Sequence, residues 1–267
     1  MTILMRIVPI EVLARTRRPH RMIERSVMFY RHAWMVFVSG FFEPLLYLLS
    51  VQVGFAALVG DVVVGGVTYD YAQFVAPALL AASAMNGAIF DATGNVFAKL
   101  KHSKLYDTVL ATPMTAADVA VGEIMAAVSR AVIYSAAFVV TMWVLGLVGS
   151  VWIVLALPVC ALIGFAFASV GMAYTTYMRT WSDLEYVNAV TLPLLLFSAT
   201  FYPLSVYPQG IQYVIQALPL WHGVELIRGL TTGALGWQLL VHVGYYLVMI
   251  AVGLIFTTLR LKKLFLD

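Results

Sequence analysis

A chain of 267 residues that is 62% hydrophobic and only 11% charged, with mean hydropathy +0.92, carries more apolar surface than a soluble core of this size can hide, so its solvent is lipid. The net charge of +3 gives no reason to invoke nucleic acid; it reports topology and contact with anionic lipid. The single cysteine, Cys160, allows no internal disulfide and reads as a small apolar filler.

Residues 1–34 lack the apolar core of a cleavable signal peptide, which leaves membrane targeting to the first long run. Behind Pro19, the side chains Ile23, Val27, Tyr30 and Trp34 share one helical stripe, with Arg21, Arg25, Arg31 and His32 on the adjoining polar face. This pattern predicts an amphipathic helix lying in the inner interface; the plainer alternative is a basic anchor that only fixes topology.

A spanning helix takes ~20 apolar residues. Six runs qualify, at 35–59, 72–97, 124–148, 151–177, 184–202 and 237–259. They are continuous and do not alternate in the short pieces of a β-barrel. The expected fold is an all-α integral membrane protein, with the segment 1–34 leading into a single transmembrane domain at 35–267.

The cations set the orientation. Arg6, Arg15, Arg17, Arg18, Arg21, Arg25 and Arg31 precede the first run; Lys99, Lys101 and Lys104 follow the second; Arg179 follows the fourth; and Arg260, Lys262 and Lys263 close the chain. Of the 16 Lys and Arg residues only Arg130, inside the third run, and Arg228, on the opposite side, lie elsewhere. Because cationic loops are retained in the cytoplasm, both termini are expected there.

The inward loop 98–123 contains Leu105 and Val109 one turn apart beside Leu110, with Lys104, Asp107 and Thr108 on other faces and Thr112-Pro113 as a stop. It reads either as a short amphipathic helix that docks in a partner's groove or as a solvated loop. The outer stretch 201–233 is apolar yet cut by Pro203, Pro208 and Pro219 and by Gly210, Gly223, Gly229 and Gly233. Two short helices, near 209–217 and 220–230, that dip into the outer leaflet and return satisfy both facts, provided protein or a cavity covers their broken backbone. Glu225 and Arg228, three apart, form a mutual ion pair or contact a substrate.

Few ionisable groups enter the spans, and each costs roughly 2.5–3.5 kcal/mol at a helix centre. Asp91 and Arg130 approach the same membrane face from neighbouring runs and are expected to pair or snorkel. Glu43, followed by Pro44, either binds a polar part of a substrate or caps a kinked helix. No H-E-x-x-H, Walker-type loop or G-x-S-x-G is present, and the five histidines, at 20, 32, 102, 222 and 242, are scattered, which argues against a metal centre. A transport function then draws its energy from a separate nucleotide-hydrolysing subunit or from an ion gradient. A gradient-driven carrier calls for paired broken helices and several buried carboxylates, of which the chain offers one broken segment. A membrane scaffold that transports nothing is the third reading.

Several motifs carry a family resemblance from about residue 35 onward. They are Glu43-Pro44-Leu45-Leu46-Tyr47-Leu48; Ser83-Ala84-Met85 with Phe90-Asp91-Ala92-Thr93; Ala111-Thr112-Pro113 leading to Asp118-Val119 and Gly122-Glu123; and Phe167-Ala168-Ser169 with Gly171-Met172. The most specific are Phe201-Tyr202-Pro203-Leu204 and Leu218-Pro219-Leu220 through Glu225-Leu226-Ile227-Arg228. With these the chain resembles the transmembrane subunit of an ABC-2 type exporter, most similar to the nodulation-factor lipooligosaccharide export permeases and related to daunorubicin-type drug-export permeases. It departs at Val51-Gln52-Val53-Gly54-Phe55, where family members often have a Gly-rich run.

The resemblance implies a non-catalytic permease of the bacterial plasma membrane with six transmembrane helices, an N-terminal interfacial helix and a re-entrant hairpin at 203–233. It implies a dimer of permeases seated on two ABC ATPase subunits, with ATP and Mg2+ bound by those partners and no cofactor held by this chain. Leu105, Tyr106, Asp107, Thr112 and Pro113 become candidates for ATPase contact. Glu43, Tyr47, Gln52, Phe197, Phe201 and Tyr202 become candidates for the path of an amphipathic cargo, the aromatic ones having packing or interfacial-belt roles as the plainer alternative. Pro203, Pro219, His222, Glu225 and Arg228 belong to the outer gate.

Overall fold

The computed structural model describes Phe42 and residues 45–64, 66–112 and 114–266. The N-terminal amphipathic segment, Glu43, Pro44 and Pro113 lie outside the described residues.

Helix α1 runs over Leu45–Phe55 and continues through Ala56–Val59. A β-hairpin follows, β1 (Asp61–Val64) pairing antiparallel with β2 (Val67–Asp70) in the register Val62 to Tyr69 and Val63 to Thr68. Among the described residues this hairpin is the departure from an all-helical chain, in a short stretch between two apolar runs, with β1 alternately exposed and half-buried over Asp61–Val64. Helix α2 (Tyr71–His102) leads to the short α3 (Leu105–Leu110), then α4 (Ala116–Val144) and α5 (Val151–Thr175). Helices α6 (Leu184–Phe197), α7 (Gln209–Ala217), α8 (Pro219–Thr232) and α9 (Gln238–Leu266) complete the fold.

Four helices among the described residues, α2, α4, α5 and α9 to Leu261, are long and apolar enough to cross a membrane. Helix α5 is the hub, packing against α2, α4 and α9. Small residues let the backbones approach, as membrane helices require: a side chain at Gly164 would meet Ala131 and Ala88, and one at Gly171 would meet Ala92 and Thr93. Helix α8 lies across α2, α5 and α9, with Leu220, Val224, Ile227 and Leu230 buried.

Two of the boundaries that differ from the sequence reading have a local cause. The third span, expected to begin at 124, starts eight residues earlier because Thr115 and Asp118 form a reciprocal capping box. The Asp118 backbone N–H donates to Thr115 Oγ1 at 3.2 Å, and the Thr115 N–H donates to Asp118 Oδ2 at 3.0 Å. Thr115→Ala is expected to lower the unfolding free energy by ~1 kcal/mol, read as a fall in the thermal midpoint of the purified chain. The fifth helix, expected over 184–202, ends at Phe197. Its 14 residues extend ~21 Å at 1.5 Å per residue, and the chain leaves the helix through Ala199, whose φ is +55°.

Helix α6 is entered through a capped turn at Thr180–Asp183. The N–H of Arg179, at 2.6 Å, and that of Thr180, at 3.1 Å, hold the Asp183 carboxyl below its usual range. A depressed carboxylate contributes fully above its unfolded value, so this turn loses its bonds only in acid. The breaks at 201–233 are local and legible: Pro208 precedes α7, Pro219 opens α8, and Gly233 ends it in the left-handed conformation at φ +78°.

Candidate functional site

Toward its C-terminal end, α2 widens into π-type turns at Asp91–Asn95 and Ala98–His102. Such turns disturb the regular hydrogen-bond ladder, and here the Ala92 carbonyl takes a bond from Thr175 Oγ1 on α5 at 2.8 Å. The turn also aims Asp91 at α4. Arg130 Nη1 donates to Asp91 Oδ1 at 2.5 Å, Arg130 Nε donates to the Tyr134 hydroxyl at 3.1 Å, and Asn95 Nδ2 donates to Asp91 Oδ1 at 3.2 Å. Asp91 and Arg130 are only 3% and 7% exposed. The expected pairing of these two is therefore present and buried.

About two turns further along both helices, Lys99 Nζ donates to Glu123 Oε2 at 2.6 Å, joining the end of α2 to the start of α4. His102 Nε2 accepts from Trp181 Nε1 at 2.6 Å, and their rings stack at 5.5 Å, which joins α2 to the turn before α6. Helix α3 sits beside these ties. Tyr106 is 1% exposed and packs with Leu105 and Val109 onto Val96, Ile124 and Met172. The apolar side of α3 is thus spent on its own protein, and Thr108 and Thr112 face outward. Of the residues assigned to a partner contact, Tyr106 is an anchor and Thr112 is presented.

At the opposite end of the bundle Arg228 joins three elements. Its Nη1 donates to Glu225 Oε1 at 2.7 Å, its Nη2 donates to the Ala199 carbonyl at 3.0 Å, and its guanidinium lies 4.2 Å from the centre of the Phe74 ring on α2. The Ala199 bond fixes the turn that ends α6. Beside this knot lies a cavity of about 510 Å³ whose lining includes Tyr69, Gln73, Glu225, Arg228, Gln238 and His242. Pro203 precedes a single turn at Leu204–Val206, and the Pro219 carbonyl accepts from the Tyr246 hydroxyl at 2.7 Å.

The cargo-path residues are not gathered into that cavity. Tyr47, on α1, and Phe197, at the end of α6, are exposed, as is Tyr202 in the turn that follows; Gln52 and Phe201 are half-buried. What residue order concealed is a histidine contact: His222 on α8 and His242 on α9 meet with their Nδ1 atoms 2.7 Å apart. Their 20-residue separation carries no periodic signal, since the packing of α8 on α9 alone creates the pair.

Residues 20–232 match the ABC-2 type transporter family. Curated relatives include a nodulation protein J from Rhizobium leguminosarum bv. trifolii, 31% identical over 222 residues that cover 83% of each chain. One from Rhizobium meliloti (strain 1021) is 32% identical over 206 residues, covering 77% of this chain and 76% of the relative. A third, from Neorhizobium galegae, is 28% identical over 76% of both. With the apolar bundle, its small-residue helix contacts and this match across most of the length together, the chain belongs to the ABC-2 type transporter family.

Proposed function

We propose that the chain is the permease subunit of an ATP-driven exporter that carries an amphipathic cargo outward, a glycolipid or lipooligosaccharide in keeping with its nodulation protein J relatives, or a hydrophobic drug. The observation that carries this reading is the inner surface, where a short helix is anchored from within by Tyr106 and presents Thr108 and Thr112. An ABC ATPase subunit, which binds ATP and Mg2+, docks there; this chain contributes no catalytic group.

The charge inventory supports an ATPase over an ion gradient. Asp91 is neutralised by Arg130, Glu123 by Lys99 and Glu225 by Arg228, and Asp118 is held in the cap of α4. A gradient-driven carrier depends on buried carboxylates that gain and lose their ion; among the described residues Asp91, Glu123 and Glu225 each face a cation.

In this reading the transmembrane domain 35–267 has six spans, α1 and α6 with their flanking residues supplying the two beyond α2, α4, α5 and α9. Both termini are cytoplasmic, residues 1–34 lie along the inner face of the bacterial plasma membrane, and α7 and α8 form a re-entrant pair that closes the outer end. Exposed apolar side chains on α1 (Leu46, Tyr47, Val53) and α6 (Val190, Leu196, Phe197) favour these helices as the contact with a second permease, so that Glu43, Tyr47, Gln52, Phe197, Phe201 and Tyr202 border a path between two copies. ATP binding draws the two ATPase subunits together, and α3 passes that motion to α2 and α4 as a rigid-body shift.

The test is to co-express the full chain with a candidate ABC ATPase subunit and measure ATP hydrolysis in nanodiscs against lipids, lipooligosaccharides and drugs. Thr108→Arg and Thr112→Arg are expected to weaken ATPase co-purification about tenfold, the ~1.4 kcal/mol of a disturbed contact, while the thermal midpoint of the permease stays unchanged. Cargo export that persists without any ATPase would overturn the proposal.

A further inference from the structure

Two imidazoles meet where α8 crosses α9. His222 and His242 are 7% and 9% exposed, with Nδ1 facing Nδ1 at 2.7 Å. The Trp221 indole stands edge-on to both rings at 5.0 and 5.1 Å, and the Tyr245 ring stacks on His222 at 3.9 Å. The charged neighbours on α8 are Glu225 and Arg228, already paired with each other. On α9 the titratable neighbours are the Tyr245 and Tyr246 phenols, and from α5 the Cys160 thiol comes near Tyr246. The Gln216 carbonyl at the end of α7 faces His222 as an acceptor. His242 shares the outer cavity with Glu225, Tyr69 and Gln73.

A nitrogen-to-nitrogen contact of 2.7 Å holds one proton, donated by one ring and accepted by the other. The neutral pair supplies it. One added proton makes an imidazolium that donates to a neutral ring, a charge-assisted bond that keeps the contact. A second added proton turns both Nδ1 atoms into donors and sets two like charges face to face, and the contact is lost. The cavity gives water access to His242.

We propose that His222 and His242 form a proton-operated latch between α8 and α9, held while the pair carries at most one extra proton and released when the outer medium supplies a second. This rests on the reading that residues 203–233 close the outer end. Acidification outside then loosens that closure through one side-chain contact.

The test is hydrogen–deuterium exchange of the full chain in nanodiscs between pH 8 and pH 3.5, corrected for intrinsic exchange. Protection of residues 219–232, compared with that of α5, is expected to fall about tenfold at pH 3.5, the effect of a two-state shift of one order of magnitude. His222→Asn and His242→Asn each leave at most one imidazolium, so either alone is expected to flatten the profile. Equal protection at both pH values in the unmodified chain overturns the latch, as does a fall that persists in a folded Asn variant. Sidedness is read separately: Tyr213→Cys in sealed vesicles, where Cys160 is buried, labels with an impermeant maleimide from outside if the closure reading holds. Labelling from the cytoplasmic side would end that reading and leave the exchange result standing on its own.

Discussion

Arg130→Leu is expected to destabilise the protein by about 3–5 kcal/mol, since it removes the cation that neutralises a buried carboxylate. Asp91 loses its charge-assisted bond to the guanidinium, and water has little access to a residue 3% exposed. Asp91→Leu produces the mirror case, with a guanidinium left beside Tyr134. The double variant Asp91→Leu, Arg130→Leu removes both charges together, and exchanging a buried pair for apolar residues is often neutral or stabilising. Its thermal midpoint is therefore expected to lie well above those of both single variants. A double variant as unstable as the singles would show that helix packing, and not charge compensation, sets the cost. Unfolding of the detergent-purified full chain, with membrane yield as a second readout, distinguishes the two.

The second large effect lies on the opposite side of α5. Thr257 Oγ1 donates to the Ser169 carbonyl at 3.1 Å, and one turn earlier Gly253 rests against Ser169 so closely that an added Cβ would sit 2.8 Å from the Ser169 carbonyl carbon. Gly253→Ala therefore pushes α9 away from α5, at a cost of about 1–3 kcal/mol for overpacking, and Gly253→Leu is expected to leave no folded protein. Ser169→Ala does not rescue Gly253→Ala, because the backbone carbon stays in place. Gly223 is the informative contrast: its added Cβ would meet the Tyr246 hydroxyl at 2.6 Å and Ile163 Cδ1 at 3.0 Å, both at the far ends of side chains. Tyr246→Phe is accordingly expected to restore much of the midpoint lost in Gly223→Ala. Rescue of Gly253→Ala by Ser169→Ala would mean that the helices already have room to separate.

Lipid as solvent and the Glu225–Arg228 pair were legible because their signals are local. A proline removes a backbone donor wherever it falls, which is why Pro208 and Pro219 mark the starts of α7 and α8 and Gly233 the end. The early start of α4 was also written locally, in the Thr115 and Asp118 capping pair, inside the stretch 98–123 that reads as an inward loop. Lys99, 24 residues away, neutralises Glu123 and lets the helix turn continue. Tyr106 was not legible as a core residue, because its burial to 1% exposure comes from residues of α2, α4 and α5 far from it in the chain.

Composition and the proline and glycine breaks by themselves determined that the chain lives in a membrane as a bundle of helices with a divided segment at 201–233, since each acts through the solvent or through its own backbone. Only the tertiary structure decided which charges cancel, which glycines touch and that two histidines meet. Those outcomes depend on separations of 2.5–3 Å between helices, and residue order fixes a helix face without fixing the neighbour it meets.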